Sequence, residues 1–178
     1  DYDVDGASST ALLGNYFKLI KQDFEIYIPD RKSEGYGPSV KSFQKLIDKN
    51  VSLIITVDCG TMSFDAIDFA NSKKIDVIVL DHHQSEINLP NAFSIINPNR
   101  IDDNSNLKYL CAAGVCFMTL ISLNTLLRKS HWFTKKKIYE PDLINFLDLV
   151  SLGTICDVVP LIGLNRAIVK QGLKIINL

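Results

Sequence analysis

The chain has 178 residues, 47% of them hydrophobic and 22% charged, and a formal net charge of −1. That length and balance suit one globular domain with a sizeable core and exclude a disordered or collagen-like chain. A globally basic nucleic-acid coat is excluded too, leaving only a local basic channel, and no apolar run approaches the length that crosses a bilayer.

The chain opens on Asp1-Tyr2-Asp3-Val4-Asp5-Gly6. Read as the end of a strand, alternation sends Asp1, Asp3 and Asp5 to one side, and Gly6 lets the backbone turn. Ala7 to Ile20 carries Leu12, Leu13, Tyr16, Phe17 and Ile20 at helical spacing, with Ser8 and Ser9 as capping residues. The strand that should precede Asp1 is missing, so the chain reads as a piece of a longer protein. Phe24 to Ile28 predicts a short strand stopped by Pro29, and Asp30 to Pro38 a polar loop with Gly35 and Gly37 beside Arg31, Lys32 and Glu34. Ser39 to Lys49 is an amphipathic helix, Ser52 to Val57 a strand, Phe64 to Asn71 a helix, Asp76 to Leu80 a strand and Ala92 to Ile96 a weaker strand. After a loop over residues 99–108, helices are predicted over Leu110 to Leu127, Asp142 to Leu152 and Leu164 to Ile176.

This alternation predicts an α/β fold: a mainly parallel sheet of five or six strands, helices on both faces, and a helical second half. The cysteines Cys59, Cys111, Cys116 and Cys156 lack metal-finger spacing, which reads as reduced, buried side chains in a cytoplasmic protein.

The chemistry sits where apolar runs stop in aspartate. Leu53-Ile54-Ile55-Thr56-Val57 ends in Asp58-Cys59-Gly60, and Val77-Ile78-Val79-Leu80 ends in Asp81-His82-His83. Buried parallel strands deliver such residues to the sheet edge where open α/β folds bind ligands. With Asp157 further on, several carboxylates and two imidazoles would share one crevice. Like charges about 4 Å apart cost roughly 4 kcal/mol at an effective dielectric of about 20. Divalent cations relieve that repulsion, and oxygen ligands mixed with histidine suit Mn²⁺ or Mg²⁺. Neighbouring histidines point in different directions, so at most one of His82 and His83 is expected on a given ion. Arg31, at the start of the Gly-rich loop, is placed to grip a phosphate. Tyr36 either stacks on a base or packs under the loop. Lys135-Lys136-Lys137 reads as solvated surface, and no Gly-x-Gly-x-x-Gly turn follows a strand, against a dinucleotide-binding oxidoreductase.

Asp81-His82-His83, Asp1 to Gly6, Asp58 and Asp157 resemble, in order, the acidic motifs of the DHH phosphoesterase superfamily. Tyr27-Ile28-Pro29-Asp30-Arg31, Glu34-Gly35-Tyr36-Gly37, Asn97-Pro98-Asn99-Arg100, Leu110 to Val115 and Gly153 to Leu161 extend the similarity to its bacterial exonucleases specific for single-stranded DNA. The resemblance implies a DHH catalytic domain over residues 1–178, cut at both ends, with the further domains of such enzymes absent. It implies that Asp3, Asp5, Asp58, His82 and Asp157 ligate two Mn²⁺ or Mg²⁺ ions, with Asp58 between them. His83 would contact the scissile phosphate, Asp81 would orient a histidine, and Asp1 would support the ligands from behind. Arg31 would meet a terminal 5′ phosphate. From the residues themselves, Tyr36 is a candidate substrate contact, and Arg100 is either structural or a peripheral phosphate contact. Relatives carry a histidine two residues before the position of Asp1, which this chain lacks. The implied activity is 5′-to-3′ hydrolysis of single-stranded DNA in repair and recombination, with a helicase and a single-strand-binding protein as partners and no membrane. The isolated piece is expected to bind DNA weakly and to be nearly inactive. Two other readings stay open: an oligonucleotide or nucleotide phosphatase or manganese pyrophosphatase, and a non-catalytic scaffold.

Overall fold

The structure, a computed structural model, describes residues 2–176. Asp1 lies outside the described residues.

The first helix starts earlier than the apolar periodicity suggests. Helix α1 spans Val4–Leu19, and its N-cap is Asp3, whose carboxylate accepts from the Gly6 amide at 2.8 Å. An aspartate cap satisfies one of the free amides at a helix start, which draws the Asp-x-Asp stretch into the helix. Asp5 therefore leaves from a helical first turn and not from a pleated strand. Ser8 and Ser9 are buried in the helix interior and do not cap it.

Residues 22–30 form no strand, contrary to the expectation for Phe24 to Ile28. A cavity of about 870 Å³, lined by Leu13, Phe17, Phe24, Ile26, Ile54 and Thr56 among others, separates this stretch from the next strand, so its backbone finds no ladder partner. Helix α2 (Val40–Ile47) opens on a capping box in which Ser39 and Ser42 satisfy each other's amides.

Strand β1 (Leu53–Val57), helix α3 (Phe64–Ser72), strand β2 (Asp76–Leu80) and the short strand β3 (Ser94–Ile96) follow. The sheet is parallel, in the order β1-β2-β3, with Val57 opposite Leu80 and Leu80 opposite Ile96. The expected five or six strands are thus three among the described residues. Side chains alternate across this sheet. Ile54, Val77 and Val79 join Phe43 of α2 and Ile67 of α3 in one core cluster. Val57 and Leu80 join a second cluster, built on Leu12, Tyr16, Leu120 and Val150. A parallel sheet covered on both faces buries each such aliphatic side chain for roughly 1.5–3 kcal/mol.

The second half is helical: α4 (Ala112–Lys129), α5 (Trp132–Lys136), a 3-10 turn over Leu143–Phe146, α6 (Leu147–Cys156) and α7 (Gly163–Ile176). Helix α5 was not expected; it is short and carries two of the three lysines read as surface. Tyr16 donates to the buried Asn124 at 2.6 Å, tying α1 to α4 inside the core. Cys59, Cys111 and Cys116 are buried, but Cys156 is exposed, because it ends α6 where that helix emerges at the mouth of the sheet.

Candidate metal centre

Four elements converge at the C-terminal ends of β1 and β2. Asp58 continues β1 in the left-handed region (φ 60°), its amide donating to the Leu80 carbonyl at 2.9 Å. This conformation favours Asp or Asn and tips the carboxylate off the strand. Asp5 comes from the first turn of α1, and Asp157 caps the C-terminus of α6. His82 stands at their focus. Its Nε2 lies 3.3 Å from Asp58 Oδ1, 3.6 Å from Asp157 Oδ2 and 3.9 Å from Asp5 Oδ2.

Asp5 is fixed from far along the chain. Its carboxylate accepts from the amides of Ala112 at 2.6 Å and Ala113 at 2.9 Å, so it serves as the missing cap of α4. Gly153 of α6 makes this approach workable, since a Cβ there would stand 2.5 Å from Asp5 Oδ1 and 2.8 Å from the Ala113 Cβ. The pairing of the first acidic motif with the last therefore depends on one small residue.

Asp81 has a different role. Burial opposes its ionisation, but bonds from His83 and Thr61 outweigh this and hold its carboxyl well below the usual carboxylate range. It accepts from Thr61 N at 3.0 Å, His82 N at 2.8 Å, His83 N at 3.2 Å and His83 Nδ1 at 2.7 Å. Drawing both histidine amides to one oxygen folds the turn so that the two imidazole rings lie 4.7 Å apart. The two rings stand side by side but tilted by 54°, His82 facing Asp5, Asp58 and Asp157 and His83 facing Asp81. Asp58, His82 and His83 form one group whose donor atoms all lie within 4.8 Å, and Asp5, His82 and Asp157 form another.

The electrostatics match a site short of positive charge. Burial, followed by the charges of Asp5 and Asp3, pushes the Asp58 carboxyl up to about 6, although His82 pulls it back. Asp157 is raised as well, by burial and then by Asp5 and Asp3, against the pull of His82. Burial lowers His82, but Asp58, Asp157 and Asp5 outweigh it and its net shift is upward. His83 is raised by its bond to Asp81. Asp58 Oδ2 and His82 Nε2 are buried and have no hydrogen-bond partner, a costly state unless another group satisfies them.

The other expected residues fall around this centre. Asp3 spends one oxygen on its cap yet acts on the charge of Asp58. Arg31 lies over the Tyr2 ring, 5.4 Å from its centroid. Tyr36 reaches the Asp58 carbonyl and His83. Arg100 is not brought in: it is committed to Asp102 at 2.9 and 2.6 Å and to the Ile95 carbonyl at 2.6 Å. Sequence reasoning missed the supports of the histidine turn. Asn97 donates to Thr61 Oγ1 and the His83 carbonyl, both at 2.9 Å, and Asn99 donates to the His82 carbonyl. Two asparagines flanking a proline directly after a strand were the available sign.

The sequence matches the DHH family, N-terminal domain, over residues 1–154. This chain belongs to the DHH family. Among curated DHH proteins it is 41% identical over 175 residues to the single-stranded-DNA-specific exonuclease RecJ of Escherichia coli (strain K12), covering 98% of this chain and 30% of that protein. The RecJ of Dickeya dadantii (strain 3937) is 40% identical over the same coverage. This DHH chain thus spans about a third of the length of the relatives it matches. A crystal structure of exonuclease RecJ bound to manganese superposes with a TM-score of 0.80 at 32% identity, over 98% of this chain and 41% of that one. The RecJ of Thermus thermophilus in complex with Mn²⁺ gives 0.73 at 28% identity, over 98% of this chain and 23% of that one.

Proposed function

We propose that residues 1–178 are the catalytic core of a metal-dependent exonuclease that hydrolyses phosphodiester bonds of single-stranded DNA from the 5′ end. One observation carries this reading: Asp5, Asp58 and Asp157 converge on His82 Nε2, where that atom and Asp58 Oδ2 are buried without partners. Carboxylate oxygens with one imidazole nitrogen fit Mn²⁺ or Mg²⁺, and the relatives crystallised with those ions support the same choice. Asp3, Asp5, Asp58, His82 and Asp157 would hold two ions. When bound, such a pair neutralises phosphoryl oxygens and activates a water for in-line attack.

The chain's own residues do the positioning. The amides of α4 hold the Asp5 carboxylate in place. Asp81 fixes the His83 ring through Nδ1 and favours its cationic form, whose charge would oppose that growing on a phosphoryl oxygen. Arg31 supplies a planar cation for a 5′-terminal phosphate. No side-chain nucleophile is needed: Ser8 and Ser9 are buried in α1, and water breaks the phosphorus–oxygen bond to release a mononucleotide. Among the described residues no helix is long and apolar enough to cross a membrane. A cytoplasmic place in DNA repair and recombination, beside a helicase and a single-strand-binding protein, belongs to the same proposal.

The test is a single-turnover assay with excess protein, Mn²⁺ and 5′-labelled single-stranded DNA. Release of labelled mononucleotide, abolished in Asp58→Asn, is the expected result. Hydrolysis of pyrophosphate or of free nucleotides with DNA left intact would replace the nuclease reading by a phosphatase one.

A further inference from the structure

The loop before α2 reaches the metal centre through one side chain. Gly35 and Gly37 both take left-handed φ angles, 78° and 75°, and so turn the chain sharply on either side of Tyr36. The base of the loop is anchored apart from that turn: Glu34 accepts from the Tyr27 hydroxyl, and Lys45 meets Glu34 at 3.2 Å and Tyr27 at 2.7 Å. The Tyr36 ring is more than half exposed, but its hydroxyl points inward and donates to the Asp58 carbonyl at 3.0 Å. That oxygen also lies 3.1 Å from His83 Nε2 and 3.4 Å from Nδ1. The rings meet edge-on at 5.9 Å, and Tyr2 closes on the other side of Tyr36 at 6.5 Å.

We propose that Tyr36 is a positioning residue for His83, its hydroxyl bracing the imidazole against Asp81 and locking it to the strand end that carries Asp58. Asp81 alone holds His83 by one ring nitrogen, which leaves rotation about that bond open. A second contact, nearer Nε2, restricts this freedom. The hydroxyl is itself immobilised, because it is spent on a backbone carbonyl of the centre. Outer partners of this kind are worth roughly 10–100-fold in the function of the group they orient. The role differs from stacking on a nucleobase, which would need the face of the phenol and not its hydroxyl.

The activity arm of the test rests on the nuclease reading; the spectroscopic arm does not. Tyr36→Phe keeps the ring and removes the brace. In the same single-turnover assay with excess protein and Mn²⁺, a fall of about 10-fold in the maximal cleavage rate is expected. In parallel, nitrogen-15 histidine spectra of the metal-free protein should show a single sharp His83 ring pattern that broadens or splits in Tyr36→Phe. An unchanged His83 pattern overturns the proposal, as does an unchanged maximal cleavage rate, because Phe keeps the ring face that base stacking would use. If the parent protein cleaves no DNA, the nuclease reading fails, and the His83 spectra alone decide the role of Tyr36.

Discussion

Replacing Asp58 by asparagine should move stability and metal binding in opposite directions. Asparagine has the same shape and tolerates the left-handed backbone that Asp58 adopts, so the substitution removes a charge with little strain. In the metal-free protein that charge is unwelcome, since burial, Asp5 and Asp3 push its carboxyl from 3.8 to about 6. For an acid, a raised folded pKa means that the folded state holds its proton longer than the unfolded state. Stability is therefore lost as pH rises from about 4 to about 6, and the loss is complete at neutral pH. A shift of that size corresponds to about 3 kcal/mol at most, and relaxation of the cluster reduces it, so a gain of about 1–2 kcal/mol is expected for Asp58→Asn. For a chain of this length that is a rise in Tm of about 2–8 °C in EDTA at pH 8, shrinking to nothing near pH 4. Saturating Mn²⁺ should raise the Tm of the parent and leave that of the variant nearly unmoved. Thermal melts at both pH values, with and without Mn²⁺, provide the assay. A variant less stable than the parent in EDTA, yet equally stabilised by Mn²⁺, would refute the picture of a charge-strained ligand.

Other expected outcomes follow from the same geometry. Gly153→Ala should cost about 1–3 kcal/mol in urea unfolding and weaken Mn²⁺ binding in calorimetry, because the new methyl displaces Asp5 from the amides of α4. Asn97→Ala removes a buried bridge between Thr61 and the His83 carbonyl. It should cost about 2 kcal/mol and about 10-fold in Mn²⁺ affinity. Val158, a β-branched residue at φ 58° beside Asp157, is strained and exposed; Val158→Asn should raise stability by about 1 kcal/mol in the same unfolding assay.

Much of this was legible in the sequence for local reasons. Asp58 and Asp81 end apolar runs of strand length, and both strands, their parallel pairing and the covering helices follow from that pattern. Asp3 and Asp5 were placed on the right acidic segment but in the wrong conformation, because the helix-capping preference of Asp3 outweighs the alternation of an extended chain. The alliance of Asp5 with α4 and Gly153 joins residues more than a hundred positions apart, and no local pattern reports such a contact. Phe24 to Ile28 has strand composition without a strand partner, which shows that β propensity acts only through a ladder. The service of Asn97 and Asn99 was hidden by their turn-like context, where asparagine is ordinary.

The most direct measurement is anomalous diffraction at the manganese edge from crystals of this chain soaked in Mn²⁺. The account predicts anomalous peaks coordinated by Asp58 and His82, with Asp5 and Asp157 among the neighbours. An empty crevice at saturating Mn²⁺, or ions held only by surface carboxylates elsewhere, would contradict it.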